Sequence, residues 1–373
     1  MSPDADIAVI GAGIAGASVA AELAETHRVL LLDAESQPGY HTTGRSAAVY
    51  MRSYGPAVIR ALSRASGPFF EQSHPELDAP LLRRRGTLFV ARADQMAALD
   101  AMEREQRGTV TRLDEGQARA RMPLLRADYA AAALFDASAA DIDVGALHGL
   151  YLRRLSARGG EVVTGMLVQR LERRAGAWPI EGHAGTLRAP LVVNAAGAWA
   201  DEVGQLAGCA PLGLTPKRRT AVLIDAPVTA LDGAPLVLDI DEQFYLKPDA
   251  GKLLISPADA TPSAPCDAQP EELDVAVCVA RIEAAFDMSI RRLAHRWAGL
   301  RSFVADSCPV AGFAPEADGF FWLAGQGGYG IQSAPALARS AAAILRGEPL
   351  PDRIAGEGVS GAALAPSRAA LHS

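Results

Sequence analysis

The sequence predicts a two-domain α/β protein, with one Rossmann-like domain and a second domain built on a mostly antiparallel β-sheet. Three observations predict it. The chain opens on a strand–glycine–helix unit, a second glycine-rich strand-to-helix junction falls near residue 325, and strand-like segments crowd residues 216–255. At 373 residues the chain is long enough for two cores and a cleft between them.

Ile7-Ala8-Val9-Ile10 is a short apolar run bounded by glycine, as a buried parallel strand would be. Gly11-Ala12-Gly13-Ile14-Ala15-Gly16 follows and fits G-x-G-x-x-G, and Ile14–Thr26 reads as helix. His27–Leu32 is a second apolar strand ending at Asp33. Gly11 suits the tight turn, Gly13 lets a pyrophosphate approach the backbone, and Gly16 lets the helix pack closely. The helix N-terminus offers unpaired N–H groups to phosphate, and Asp33 stands where a carboxylate accepts ribose hydroxyls. The motif indicates a dinucleotide without separating FAD from NAD.

Three later segments favour FAD. Gly39–Ala48 is a small-residue loop holding an arginine among hydroxyls, suited to pyrophosphate and flavin, or else an ordinary surface turn. Leu191–Trp199 is a short strand breaking into small residues that could pass beneath a cofactor, or simple strand–helix packing. Phe320–Gln332 is an apolar strand running into four glycines and then a helix to about Leu345, stopped by Gly347 and Pro349. Its dipole can stabilise negative charge on a reduced isoalloxazine, an element an NAD enzyme does not need.

Composition narrows the function classes. Lys+Arg 36 against Asp+Glu 43 gives a net charge of −7, so nothing draws the chain generally to nucleic acid or an anionic membrane. The clusters Arg83–Arg85 and Lys217–Arg219 are short, and the first reads as a solvated turn. Cys209, Cys266, Cys278 and Cys308 are scattered, with neither C-x-x-C nor metal-ligand spacing, so no metal is expected. An acidic N-terminus, and no apolar run of about 18 residues, predict a cytoplasmic protein without a transmembrane segment.

Because cofactor segments lie at the start, middle and end, the FAD-binding domain is expected to be discontinuous: residues 1–82, 141–206 and 300–373. Residues 83–140 and 207–299 would form the substrate domain. In it, Thr87–Ala91 reads as strand and Asp94–Gln106 as helix. Thr220–Ile224, Pro235–Ile240, Gln243–Lys247 and Lys252–Ser256 read as strands, the last two flanking the turn Pro248-Asp249-Ala250-Gly251. Pro257–Pro270 reads as a loop, and the tail after Pro351 as loosely packed.

The whole chain resembles the glycine oxidase/D-amino acid oxidase family of flavoproteins, most of all its D-arginine dehydrogenase branch. Seven blocks carry the resemblance: Gly39–Ala48, Ala139–Asp143, Val193–Trp199, Pro216–Arg219, Phe244–Gly251, Trp297–Asp306 and Gln326–Gln332. It implies oxidation of an amino acid to an imine that hydrolyses to 2-oxo acid and ammonia, and a further, unidentified electron acceptor. FAD would contact Gly11, Gly13, Ile14, Ala15, Gly16, Asp33, Gly44, Arg45, Ser46, Ala47 and Val168. Ala196, Gly197, Trp199, Gly325, Gly327, Gly328, Gly330, Ile331 and Gln332 would complete its site.

The resemblance also implies that Arg219, Arg301 and Tyr245 hold the substrate carboxylate, as a guanidinium fork does well. Tyr54 would lie on a mobile loop over the pocket, with Tyr329 and Gln332 on the glycine-rich loop. The Gly328 carbonyl would face the substrate amine, and Ser46 would hold a water. Arg218, alternating with Arg219, is expected to face solvent. Two departures stand out: Val49 where the branch would have His, and Thr87 where it would have Glu. Without that Glu, nothing offsets desolvation of a D-arginine side chain, so neutral or apolar D-amino acids, or a related secondary amine, are expected. Val49 also leaves no evident general base. Sarcosine oxidase relatives would have cysteine where Gly299 stands, so FAD is expected to be non-covalent. The rival readings are a 2-hydroxy acid oxidising enzyme, a non-catalytic flavoprotein subunit and an NAD-dependent dehydrogenase.

Overall fold

The structure, a computed structural model, describes residues 4–225, 231 and 233–371. Its first sheet has six strands in the order Val310–Phe313, Phe320–Ala324, Leu191–Asn194, Ile7–Ile10, Val29–Leu32, Glu161–Val163. All neighbours run parallel except the edge pair Val310–Phe313 and Phe320–Ala324. Strands alternate their faces, which explains why the opening run is apolar at every position. Ile7 and Val9 pack under helices Ile14–Leu23, Val144–Ala157, Ala57–Glu71 and Gly330–Arg346. Ala8 and Ile10 face a three-stranded antiparallel sheet, Val168–Leu171, Trp178–Gly182 and Gly185–Ala189, through Met166, Trp178 and Ile180.

The second large sheet has nine strands and is antiparallel except where Leu236–Asp239 runs beside Thr87–Ala91. One face, with Val222, Ile224, Val237 and Leu246, is covered by the helix Glu272–Ala285 through Val275, Cys278 and Ile282. The other, with Phe89, Leu236 and Leu238, meets Met51, which follows the strand Val49–Tyr50. The expected strand at 220–224 extends over Thr215–Asp225, because Leu293–Phe303 pairs with it along its length. Its partner strand contains the expected boundary at 299/300. The boundaries at 82/83 and 140/141 fall inside the strands Leu82–Arg84 and Ala140–Ile142, which pair with each other, the second also pairing with Val49–Tyr50. The expected hairpin turn narrows to Ala250 and Gly251, both at positive φ (48° and 78°), between Asp249 and Lys252.

Three expectations need correction. The tail after Pro351 is packed, since Ile354, Val359 and Leu364 sink into the first core. Residues 83–85 are not a turn: Leu82–Arg84 is strand, and although Arg83 and Arg84 are exposed, Arg85 is buried against Asp141 at 2.6 Å. Pro257–Pro270 is mostly loop, but Thr261–Pro262 pairs with Lys217 and Arg218.

Candidate active site

A cavity of about 1020 Å³ lies between the two large sheets, and its wall takes residues from both. One end is built from backbone. Register places Ile10 beside Asn194, so the turn at Gly11 meets the turn at Ala195. Gly11 sits at φ +100°, and a β-carbon there would run into the Ala195 carbonyl. A β-carbon on Gly16 would strike the Gly11 carbonyl, so the first helix can start this close to the strand only with glycine at both places. The Ala12 peptide is held on both sides: its N–H donates to Asp33 Oδ2 at 2.7 Å, and its carbonyl lies 2.8 Å from His148 Nε2. Burial pushes the His148 pKa down, so the ring is neutral at physiological pH and donates from Nε2. Asp33 Oδ1 accepts from the Glu35 N–H at 2.9 Å, which fixes the carboxylate at the cavity wall. Asn194 plays the same part in the neighbouring turn, donating to the Ala200 carbonyl (2.8 Å) and accepting from the Ala196 N–H.

The opposite wall is built from side chains. In the register of Thr215–Asp225 with Leu293–Phe303, Arg219 lies opposite Gly299 and Lys217 opposite Arg301. Arg219 and Arg301 therefore share a face, two steps apart, and both line the cavity. Among the described residues neither is in an ion pair; Arg219 Nε donates to the Asp259 carbonyl at 2.7 Å, and Arg301 lies over the Phe303 ring. Burial, and then Arg219 beside it, push the Arg301 pKa down, the mark of a cation lacking a counter-charge. Gly328 lets the glycine loop lie on this guanidinium, for a β-carbon there would come within 2.7 Å of Arg301 Nη1. Tyr245 and Tyr54 line the same space, and burial pushes the pKa of both up, so their hydroxyls stay protonated and can donate. Gln332 is oriented by its Oε1, which accepts from the Met51 N–H at 2.9 Å.

Gly13, Ile14, Ala15, Arg45, Ser46, Ala47, Val49, Val168, Ala196, Gly197, Trp199, Gly327, Gly330 and Ile331 also stand in the cavity wall. Gly16, Gly44 and Gly325 stand behind it and serve packing. Tyr329 is also outside the wall; its ring packs against Tyr54 at 5.3 Å and Phe303 at 6.4 Å. Thr87 is fully buried, does not reach the cavity, and its hydroxyl has no partner among the described residues.

Two arginines have partners that the sequence did not show, Arg45 in the cavity wall and Arg218 behind it. The Arg45 guanidinium turns to the Ala268 and Ala298 carbonyls (3.0 and 3.1 Å) and to Asp267, so it fastens the 257–270 segment to the cavity rim. Arg218 does face away from Arg219, but into protein: it is buried against Glu271 and Asp274 at the start of the Glu272–Ala285 helix. Helix burial on that face, invisible to strand alternation, is the reason. Sequence reading missed Thr43, whose Oγ1 accepts from the Ile14 N–H at 2.9 Å, and the apolar wall of Met51, Ala221, Leu236 and Leu238. Leu236 and Leu238 have the right period within an expected strand; nothing local marks Met51.

The residues fit an FAD-sized group. A dinucleotide needs a backbone cradle at one end, which the glycine turn supplies, and free amides at the other. The first-turn amides of Gly330–Arg346 have no intrahelical acceptor, and they open at the cavity through Gly330, Ile331 and Gln332. Among the described residues no cluster of His, Cys, Asp and Glu could hold a metal ion, the four cysteines are free, and no helix is long and apolar enough to cross a membrane.

Comparison with known proteins agrees with this fit. The family model described as DAO, FAD dependent oxidoreductase, matches residues 6–344. Glycine oxidase of Geobacillus kaustophilus (strain HTA426) is 25% identical over 358 residues, covering 88% of this chain and 90% of that protein. Glycerol 3-phosphate dehydrogenase of Caloramator mitchellensis is 24% identical over 363 residues, covering 91% of this chain and 74% of that protein. The crystal structure of glycine oxidase from Geobacillus kaustophilus superposes with a TM-score of 0.79 at 24% identity, covering 93% of this chain and 96% of that one.

Proposed function

Since the chain belongs to the DAO family of FAD-dependent oxidoreductases, we propose that it oxidises the carbon–nitrogen bond of a D-amino acid with a neutral or apolar side chain. The imine released would hydrolyse to a 2-oxo acid and ammonia. The observation that carries this reading is the pair Arg219 and Arg301, two guanidinium groups that form no ion pair among the described residues and share one face of the cavity wall. Two adjacent cations with no ion-pair partner among the described residues call for an anion, and a forked donor matches a carboxylate.

FAD, when bound, supplies the acceptor for the two electrons of the oxidation. The Gly11–Gly16 turn, Asp33 and the start of the Gly330–Arg346 helix would hold it. Arg219, Arg301 and the Tyr245 hydroxyl would fix the carboxylate and so aim the α-carbon. Val49, Met51, Leu236 and Leu238 would receive the side chain and exclude water. Gly328 would offer its carbonyl to the amine, and Tyr54 with Tyr329 would cap the entrance.

Preference for the D enantiomer rests on the resemblance of the Gly39–Ala48, Pro216–Arg219 and Gln326–Gln332 blocks to the D-arginine branch. The apolar wall supports neutral substrates over D-arginine, whereas Thr87 does not reach the cavity and carries no part of that preference. No cysteine stands in the cavity wall among the described residues, which supports non-covalent FAD. We place the enzyme in the cytoplasm with an electron acceptor still to be identified. Oxidation of a 2-hydroxy acid is the second reading, because the same arginines would hold its carboxylate and one relative is a glycerol 3-phosphate dehydrogenase.

Anaerobic titration of the purified holoenzyme tests the proposal. D-Leu, D-Met or D-Phe should bleach the flavin with higher kcat/KM than D-Arg, and acid precipitation should leave the colour in solution. Equal or better turnover of D-Arg would overturn the specificity, and bleaching by 2-hydroxy acids alone would establish the second reading.

A further inference from the structure

The segment from Met51 to Pro56 joins the Val49–Tyr50 strand to the Ala57–Glu71 helix, and it presents Met51 and Tyr54 to the cavity. It is tied to its own domain by the Met51 N–H on Gln332 Oε1 (2.9 Å), the Tyr54 ring on Tyr329, and the Gly55 carbonyl on Arg60 Nη1 (2.6 Å). Ser53, between the two cavity residues, points the other way. It is buried, and its hydroxyl donates to Asp136 Oδ2 at 2.7 Å.

Asp136 belongs to the second sheet, at the end of the Ala132–Asp136 strand beside Thr87. Its side chain is wholly buried, and its other oxygen is fixed within its own turn, accepting from the Ser138 N–H (2.9 Å) and hydroxyl (2.6 Å). The carboxylate is thus oriented without help from Ser53, while Oδ2 takes its hydrogen bond from the Met51–Pro56 segment alone among the described residues. A buried carboxylate oxygen is costly to leave unpaired. The bond therefore ties the position of the segment to the second sheet, which also carries Tyr245, Leu236 and Arg219.

We propose that Ser53 and Asp136 are positioning residues: their buried hydrogen bond holds Met51 and Tyr54 in register with the substrate-binding face of the second sheet. Neither touches substrate; they act through the residues flanking Ser53. The inference rests on the functional reading only for which ligand the cavity takes.

The test uses the holoenzyme and two readouts. Arg52 precedes Ser53, so trypsin cleavage at the Arg52–Ser53 bond reports release of the segment without any substrate. S53A should speed cleavage there roughly tenfold, the worth of one hydrogen bond to a charged group, with other tryptic sites changed less than about twofold. S53T, which keeps the hydroxyl, should restore slow cleavage, and D136N should shift it in the same direction as S53A. With the best substrate, S53A should raise KM by a similar factor and leave kcat nearly unchanged. Unchanged cleavage in both S53A and D136N overturns the proposal, as does faster cleavage spread evenly along the chain, which would mark an ordinary stability contact. If no amino acid bleaches the flavin, the functional reading fails and the cleavage pattern still decides this one.

Discussion

The two ends of the cavity are made of different material. At the Gly11 end the working parts are peptide groups: the turn at Gly11, the Ala12 peptide held by Asp33 and His148, and amides at helix starts. At the Arg301 end they are side chains brought together by strand register from positions near 219, 245 and 301. A backbone site requires particular residues, mostly glycine, in one short stretch. A side-chain site can draw on any strand whose register brings it to the right face. The first kind is therefore intolerant of small changes and the second tunable, and that difference is open to experiment.

The largest effect should come from G16A. A single methyl there has no room beside the Gly11 carbonyl, and the clash is with backbone, which cannot rotate away. We expect a protein purified without flavin, or with FAD affinity lowered at least about 100-fold, equal to roughly 3 kcal/mol; normal flavin content by absorbance would break the contrast. Next is R301Q, which should keep its flavin and lose roughly 100- to 1,000-fold in kcat/KM, the worth of a charge-assisted pair to a substrate carboxylate. Coloured protein with near-normal kcat/KM would show that the guanidinium serves another purpose. The smallest effect on catalysis should come from R218A. Its guanidinium is spent on Glu271 and Asp274 behind the sheet, so kcat/KM should stay within about threefold while stability falls by about 2 kcal/mol, read as a lower Tm. Loss of activity matching R301Q would mean that the two faces of this strand are not independent.

That contrast also explains what the sequence revealed. The four inner strands of the first sheet were legible because each is a local pattern, an apolar run leading to a turn, whereas the edge strands Glu161–Val163 and Val310–Phe313 were not read from the sequence. Asp33 and the Gly325–Gln332 loop could be placed for the same reason. Arg219, Arg301 and Tyr245 were reached by resemblance, and their meeting depends on a pairing between residues 215–225 and 293–303 that no local pattern encodes. Arg45 does reach the cavity wall, but the partners that hold its guanidinium, Ala268 and Ala298, lie far along the chain and no local pattern shows them. Thr87 was correctly read as strand, but whether its side chain reaches the cavity depends on what packs in front of it.

The position of Ile7–Ile10 in the middle of its sheet bears on synthesis of the protein. One neighbour, Val29–Leu32, follows at once, but the other, Leu191–Asn194, is separated from it by roughly 180 residues. At about 5–20 residues per second, a nascent chain would wait about ten to forty seconds with one edge of its first strand unpaired. Such an edge invites pairing with another chain. In the proposed site FAD would span segments that include the Gly325–Gln332 loop, so it would not stabilise the fold until that loop has been synthesised. Flavin supply should then govern how many completed chains are retained rather than how early folding begins.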